Sequence, residues 1–173
     1  MSKKKKVNFM VDIETLGVAH DAALLSIGAV EFGMEGVTRE FYKVIDMDSS
    51  IKSGGTITPS TLKWWLKQGE ASLFSMEGEP HREVMAGFAL WLLENTNPRD
   101  VIMWANAPSF DCSILESAFV REGIRTPWRF WNERDHRTLK NLWKVKYKAS
   151  GIKHNALDDA RLLKEFYELI KKS

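Results

Sequence analysis

Three strand-like segments follow one another near the start of the chain, before any helical pattern begins. They are VNFMVDI (7–13), AALLSIGAVEF (22–32) and VTREFYKVID (37–46), and each is rich in apolar or β-branched residues. Short links join them, the first around Gly17. Consecutive strands with short links predict an antiparallel meander, which strongly limits the folds open to this chain.

Helical spacing of apolar residues follows the meander. It is seen in segments 58–69, 81–96, 109–123, 136–148 and 155–172. The short apolar segment VIMWA (101–105) predicts one more strand, whereas SSIKSGGT (49–56) and TPWRFWNERD (126–135) predict loops. Ser109 is the predicted cap of the third helix. This order predicts a single α/β domain over residues 1–173, with a mixed sheet flanked by helices.

Composition excludes several classes of protein. The 173 residues suffice for one domain with a core, and the single cysteine, Cys112, excludes an internal disulfide and a multi-thiolate metal site. We therefore expect a reducing, cytoplasmic location. No apolar run reaches the roughly 20 residues that span a bilayer, so no membrane partner is expected. Residues 1–6 predict a flexible basic terminus rather than a signal peptide.

Two acidic side chains interrupt the first apolar segment on one face. Asp12 and Glu14 are two residues apart, so on a strand they point the same way, with Cα atoms about 6.5–7 Å apart. Carboxylates at this spacing can converge on one hard cation. A solvent-facing strand would also accept them, but Met10 shares their face and strands are generally poor in Asp and Glu.

Two more acids lie near the starts of predicted helices. Asp111 points along the apolar stripe of its helix, although a first-turn acid is explained equally well by the helix dipole. In the last helix, Asp158 fits a capping-box position after Asn155, whereas Asp159 lies on the apolar side. A lone buried carboxylate requires a partner or a metal, so Asp159 favours a functional site.

His154 stands within about one helical turn of Asp159. Its ordinary pKa of roughly 6.5 suits a general base near neutral pH, and a structural or exposed histidine is the alternative. The candidate metal ligands are all oxygen atoms, which favours Mg²⁺ or Mn²⁺ over zinc. Two such ions can stabilise both the attacking and the leaving oxygen of a phosphodiester.

The motifs DIET (12–15), FD (110–111) and HNALDD (154–159) resemble those of the DEDDh group of 3′–5′ exonucleases. This DnaQ-like superfamily includes the proofreading subunit of bacterial DNA polymerase III and ribonuclease T, and its fold is ribonuclease H-like. DIETLG, WANAPSFD and HNALDDA resemble in particular the phage exonuclease A and exodeoxyribonuclease VIII-like branch, which also includes small bacterial exoribonucleases. The resemblance covers nearly the whole chain.

The resemblance implies a catalytic role for each of five residues. Asp12, Glu14 and Asp159 would hold the first of two Mg²⁺ or Mn²⁺ ions. Asp12 would also bridge to the second ion, which Asp111 would support. His154 would deprotonate the attacking water, and 3′ ends of single-stranded DNA or RNA would be released as nucleoside 5′-monophosphates.

The resemblance also implies substrate contacts. Thr15 and Leu16 would touch the terminal nucleotide, and Asn106 would contact the substrate. Dimers occur among the relatives, so a homodimer is one of the possible assembly states of this protein. Whether DNA or RNA is preferred is left open as well.

Aromatic and basic residues offer further candidates. Trp64 and Trp65 are adjacent and cannot both face the core, so we predict Trp65 as a platform for an unpaired base, with Trp128 or Trp131 as alternatives. A basic segment would follow a phosphate backbone or form a solvated helix face. Its members are Arg134, Arg137, Lys140, Lys144, Lys146 and Lys148.

Two other functions are compatible with the same fold. The first is a non-catalytic nucleic-acid-binding module, against which the presence of all five chemical positions argues. The second is a ribonuclease H-like endonuclease, which cleavage of a circular single strand would favour.

Overall fold

The structure, a computed structural model, describes residues 6–33, 36–68 and 77–143. The strands are β1 (Val7–Thr15), β2 (Leu24–Gly33), β3 (Gly36–Val44), β4 (Val101–Ala105) and β5 (Glu133–Asp135). The α-helices are α1 (Met47–Lys52), α2 (Pro59–Gln68), α3 (His81–Leu93), α4 (Pro108–Arg121) and α5 (His136–Trp143). A 3-10 helix spans Phe130–Asn132.

The strands form one mixed sheet in the order β3-β2-β1-β4-β5. β1, β2 and β3 pair antiparallel, which confirms the predicted meander. β4 and β5 add parallel to the β1 edge. Met10 of β1 pairs with Trp104 of β4, and Trp104 pairs with Arg134 of β5. β4 and β5 end one residue after this row, whereas β1 continues to Thr15.

The two faces of β1 contribute to different clusters of the core. Phe9, Val11 and Ile13 belong to the larger cluster, which α3 and α4 cover. Met10 belongs to a smaller cluster on the opposite face, against which Leu139 of α5 packs. The other members of that cluster are Val30, Phe32, Ile102 and Trp104. Side chains alternate along a strand, so Asp12 and Glu14 share the face of Met10.

Several predictions of local structure were wrong. The segment 49–56 was predicted as a loop, but α1 occupies its first part, because Asp46 caps the helix by accepting a hydrogen bond from the Ser49 N–H. Ser109 is not the cap of α4, because the helix begins one residue earlier at Pro108, whose fixed φ suits the first helical position. The segment 126–135 contains the 3-10 helix and β5 rather than loop alone.

The basic terminus lies only in part within the described residues. Lys6 contacts the loop before β4, where its ammonium group donates to the carbonyl of Arg99. The flexible basic terminus over residues 1–6 stays a prediction. The predicted last helix, with His154, Asp158 and Asp159, lies outside the described residues. Each helix within them is too short or too polar to cross a membrane.

Candidate active site

The carboxylates of β1 lie at the edge of the sheet where its parallel strands end. Asp12 is half-buried, and Glu14 keeps only 9% of its surface exposed. Asp12 faces Gly28 across the β1–β2 ladder, and Glu14 faces the buried Ser26. The two acids are therefore fixed by the pairing of a central strand, which gives them little freedom to move apart.

Asp111 reaches the same edge from the first turn of α4. It is 4% exposed, and burial raises the pKa of Asp111 to about 7. Backbone hydrogen bonds from Asp111 itself, Ala107 and Ile13, together with the charge of Arg137, lower this pKa against the larger effect of burial. The Ile13 contact connects α4 to β1 between Asp12 and Glu14, so Asp111 lies beside the strand that carries the other two acids.

The residues that follow β4 and β5 complete this edge. Asn106 directly follows β4, and its Oδ1 lies 3.5 Å from Nδ1 of the buried His136, the first residue of α5. The turn into α5 is fixed by Asp135, which accepts hydrogen bonds from the Arg137 N–H at 2.9 Å and from the Thr138 hydroxyl at 2.7 Å. Ala105 pairs with Asp135, so Asn106 and His136 directly follow the paired ends of β4 and β5.

A cavity of about 320 Å³ opens beside Glu14. β1, the turn after it, α2 and the start of α4 form its walls. The lining residues are Ile13, Glu14, Thr15, Gly17, Val18, Ser60, Thr61, Trp64, Trp65 and Phe110. Carboxylate, hydroxyl and aromatic groups at one opening suit a ligand with a phosphate, a sugar and a base.

The two adjacent tryptophans differ in exposure and in hydrogen bonding. Trp65 was predicted as the platform for a base, but it is 1% exposed, and its Nε1–H donates to the carbonyl of Thr15 at 2.9 Å. Trp64 is 40% exposed and makes an edge-to-face contact with the Trp65 ring. Trp65 therefore fixes the end of β1, and Trp64 presents an aromatic surface at the cavity. The contact of Trp65 with a base stays a prediction, and Trp64 is the more exposed of the two rings at the cavity.

The turn after β1, at Thr15 and Leu16, is less accessible to a substrate than the predicted contacts require. The Thr15 hydroxyl is buried and donates to the Gly17 carbonyl at 2.6 Å. Leu16 is fully buried against Trp65, so any contact of Leu16 with a nucleotide would have to be made by its backbone. Of the alternative platforms, Trp128 is buried and donates to Glu133, whereas Trp131 is exposed beside Phe130.

The donor set fits a hard divalent cation. Asp12, Glu14 and Asp111 supply only oxygen ligands, and the buried Asp111 carboxylate lacks the water that would otherwise stabilise its charge. A bound cation would supply that missing charge. Within residues 6–33, 36–68 and 77–143, no three acidic, histidine or cysteine side chains already surround one point. The remaining predicted residues, Asp159 and His154, lie outside these ranges.

Several residues at this edge were not predicted from the sequence. Ser60, Thr61 and Phe110 line the cavity, and His136 is buried next to Asn106 although it was given no role. Phe110 could have been found, because it directly precedes Asp111 and so begins the same helical turn. The others depend on how α2 and α5 pack, which sequence spacing alone does not reveal.

Comparison with solved structures identifies the class of fold. The chain is similar to apo exonuclease I, with a TM-score of 0.71, 13% identity, and coverage of 98% of this chain and 42% of that chain. It is also similar to the zinc-bound form of an E. coli exonuclease I–ssDNA complex, with a TM-score of 0.70, 14% identity, and coverage of 98% and 41%. These similarities and the sheet topology confirm the predicted ribonuclease H-like exonuclease fold. The chain spans about two fifths of the exonuclease I chains.

Comparison with family models identifies the family. Residues 7–170 match the family described as 3′–5′ exoribonuclease Rv2179c-like domain. The chain belongs to this family of 3′–5′ exonucleases, which confirms the predicted class of enzyme. No curated protein matches the sequence significantly.

Proposed function

We propose that this protein is a metal-dependent 3′–5′ exonuclease that removes nucleoside 5′-monophosphates from the 3′ end of single-stranded nucleic acid. The observation that carries the proposal is the placement of Asp12, Glu14 and Asp111 at one edge of the sheet, beside a cavity of about 320 Å³. Family membership supports the reaction and its polarity.

Each acidic residue has a defined task in this proposal. Asp12, Glu14 and Asp111, with Asp159, would hold two divalent ions, Mg²⁺ or Mn²⁺. When bound, such ions stabilise charge on the attacking and leaving oxygens of a phosphodiester. The β1 ladder holds Asp12 and Glu14 in place, and the Ile13 hydrogen bond orients Asp111. His154 would accept the proton of the attacking water.

The cavity would hold the terminal nucleotide. Trp64 offers its exposed ring to the base, Ser60 and Thr61 offer hydroxyl groups to the sugar, and the Thr15–Gly17 turn closes the inner side. Asn106 would contact the substrate at the end of β4. Exonuclease I has been solved in complex with ssDNA and with a dT13 oligonucleotide, which supports a single-stranded substrate. The family description favours RNA.

The branch and assembly of the protein are further parts of the proposal. The motifs DIETLG, WANAPSFD and HNALDDA favour the phage exonuclease A and exodeoxyribonuclease VIII-like branch. A cytoplasmic location and a homodimer remain predictions, and sedimentation at two protein concentrations tests the dimer.

The test follows a single-stranded oligonucleotide labelled at its 5′ end. Wild-type protein with Mg²⁺ or Mn²⁺ should shorten it progressively and release nucleoside 5′-monophosphates, EDTA should stop the reaction, and a circular single strand should stay intact. Asp12→Asn serves as the inactive control. Cleavage of the circle would indicate an endonuclease. A folded protein that releases no nucleotide from either DNA or RNA would refute the proposal and favour a binding module.

The general base has its own test. His154→Ala should lower kcat by about 10²- to 10⁴-fold, because proton removal from water loses its acceptor, and should leave Mn²⁺ affinity nearly unchanged. Asp159→Ala should lower both activity and metal affinity. Calorimetric Mn²⁺ titrations and single-turnover rates separate the two effects, and full activity in His154→Ala would contradict the role.

A further inference from the structure

Arg137 stands at the same edge of the sheet as the carboxylates, on the side away from the cavity. Met10, Trp104 and Arg134 form one row across β1, β4 and β5. Two residues after each of these stand Asp12 in β1, Asn106 directly after β4, and His136 at the start of α5. Adjacent strands are about 4.8 Å apart, so the end of β5 lies about 10 Å to the side of β1. Arg137 is the next residue in α5.

Two contacts fix the start of α5 against the sheet. Leu139 packs against the cluster around Met10, so α5 lies on the face of the sheet that carries Asp12, while Arg137, half a turn earlier in the helix, points to solvent. Asp135 accepts the Arg137 N–H and so fixes the first turn of α5. The Arg137 side chain is exposed, and its charge acts on the Asp111 carboxylate. The charge of Arg137 therefore reaches the proposed catalytic centre.

The guanidinium groups of Arg137 and Arg134 differ in their hydrogen-bond partners. Arg134 donates to the carbonyls of Trp131 and Glu133, which hold it in the local backbone. In the described part of the chain, no carboxylate lies within ion-pair distance of the Arg137 guanidinium, and this group makes no hydrogen bond there. An exposed guanidinium next to a phosphodiester site is suited to bind a phosphate.

The positions of the cavity and of Arg137 define a path for the strand. The cavity lies between the end of β1, α2 and the start of α4, and Arg137 follows β5, two strands away from β1. A terminal nucleotide in the cavity puts the scissile phosphodiester at Asp12, Glu14 and Asp111. The rest of the strand then leaves across β4 toward α5.

We propose that Arg137 binds a phosphate of the strand on the 5′ side of the scissile phosphodiester. This inference rests on the proposed function, because it takes the terminal nucleotide to lie in the cavity. Arg137 is thus a positioning residue for oligonucleotides. A substrate that contains only the scissile phosphodiester does not reach it.

The test compares two substrates of different length. The p-nitrophenyl ester of thymidine 5′-monophosphate carries one phosphodiester, and a single-stranded 10-mer carries several upstream phosphates. Arg137→Ala should raise KM for the 10-mer about tenfold, with kcat little changed, because a charge-assisted hydrogen bond is lost. It should leave hydrolysis of the ester within about twofold of wild type, and Arg137→Lys should recover part of the loss.

Salt dependence and a matched control complete the design. The slope of log KM for the 10-mer against log salt should fall by about 0.7 in Arg137→Ala, the value for one phosphate contact on a single strand. Arg125→Ala removes an exposed arginine beyond the far end of α4, about 20 Å from Asp111, and should change none of these values.

The outcomes separate this inference from the proposed function. Equal losses on both substrates, or an unchanged KM and salt slope for the 10-mer, would overturn the role of Arg137. If wild-type protein hydrolysed neither substrate, the proposed function would fail. In that case the role of Arg137 is tested by binding alone, with a fluorescent 10-mer in EDTA and fluorescence anisotropy as the measurement. Arg137→Ala should bind the 10-mer about tenfold more weakly than wild type and Arg125→Ala do, and equal binding would overturn the role of Arg137.

Discussion

At the scale of single residues, two neighbouring tryptophans divide structure and function between them. Trp65 is buried and bonded to the Thr15 carbonyl, whereas Trp64 is exposed at the cavity. Tryptophan is therefore part of the buried core at position 65 and an exposed ring at the cavity at position 64. Substitution at each position separates the two roles.

Trp65→Ala should lower the free energy of unfolding by about 3–5 kcal/mol, because it empties a buried site and leaves a buried carbonyl unpaired. Trp64→Ala should change stability by less than about 1 kcal/mol and raise KM for a single strand about tenfold, since a stacked base is lost. Urea unfolding and initial rates measure both. A loss of stability in Trp64→Ala equal to that in Trp65→Ala would contradict the assignment.

His81 provides a second prediction at the residue scale. It is buried at the start of α3, with its Nδ1 2.6 Å from Glu122, and its Nε2 has no hydrogen-bond partner among the described residues. Burial lowers the pKa of His81 from its ordinary value of 6.5, and this exceeds the opposing effect of Glu122, while Arg121 lowers it further. Arg82, which also contacts Glu122, is exposed.

The lowered pKa of His81 makes stability depend on pH. As the pH falls below about 6.5, the unfolded chain gains a proton at this position before the folded protein does, so stability is complete above that pH and is lost below it. His81→Gln should flatten the decline of Tm between about pH 6.5 and pH 5. His20→Gln, at an exposed position, should leave it unchanged. An equally steep decline in His81→Gln would assign the pH dependence to other groups.

At the scale of elements, two glycines differ in the space available for a side chain. One lies in a helix that has room for a Cβ atom, and the other lies in a turn that has none. Gly87 lies inside α3, and a Cβ there would have no atom within 4 Å. Gly55 lies after α1, and a Cβ there would come within 2.6 Å of the Ser50 carbonyl oxygen and 2.8 Å of the Ala23 Cα. Backbone atoms cannot move aside as a flexible side chain can.

Gly87→Ala should raise the free energy of unfolding by about 0.5–1 kcal/mol, because alanine loses less backbone entropy in a helix. Gly55→Ala should lower it by about 1–3 kcal/mol, because the backbone of α1 or β2 must shift. Chemical denaturation of both variants gives the comparison. Equal effects of the two substitutions would show that the approach of α1 to β2 is looser than the structure indicates.

At the scale of the whole molecule, the fold was predicted better than the cavity. The apolar segments and short links of residues 7–46 determine the meander, because strand periodicity and turn residues are local properties of the sequence. The order β1-β4-β5 and the cavity wall formed by α2 depend on packing between distant segments. Spacing predicted that Asp12 and Glu14 share a face, but not that Trp64 is the more exposed of the two tryptophans that line the cavity.

The capping errors have the same physical origin. Ser109 is a suitable cap by residue type, yet the constraint that Pro108 places on φ determines where α4 begins. In 49–56, glycine and serine suggested a loop, whereas the Asp46 cap lies just before the segment and was not considered. Local residue type sets a preference, and the neighbouring turn decides the boundary.

The central claim is that the carboxylates at the end of β1 and the start of α4 form the catalytic centre. The most direct test measures nucleotide release from a single-stranded oligonucleotide in Mn²⁺ by Asp111→Asn and by Glu116→Gln, a half-buried carboxylate further along α4. Asp111→Asn should lose at least about 10²- to 10³-fold in rate while remaining folded by circular dichroism. Glu116→Gln should stay within about twofold of wild type, because its substitution leaves the edge intact. A wild-type rate in folded Asp111→Asn would contradict the account.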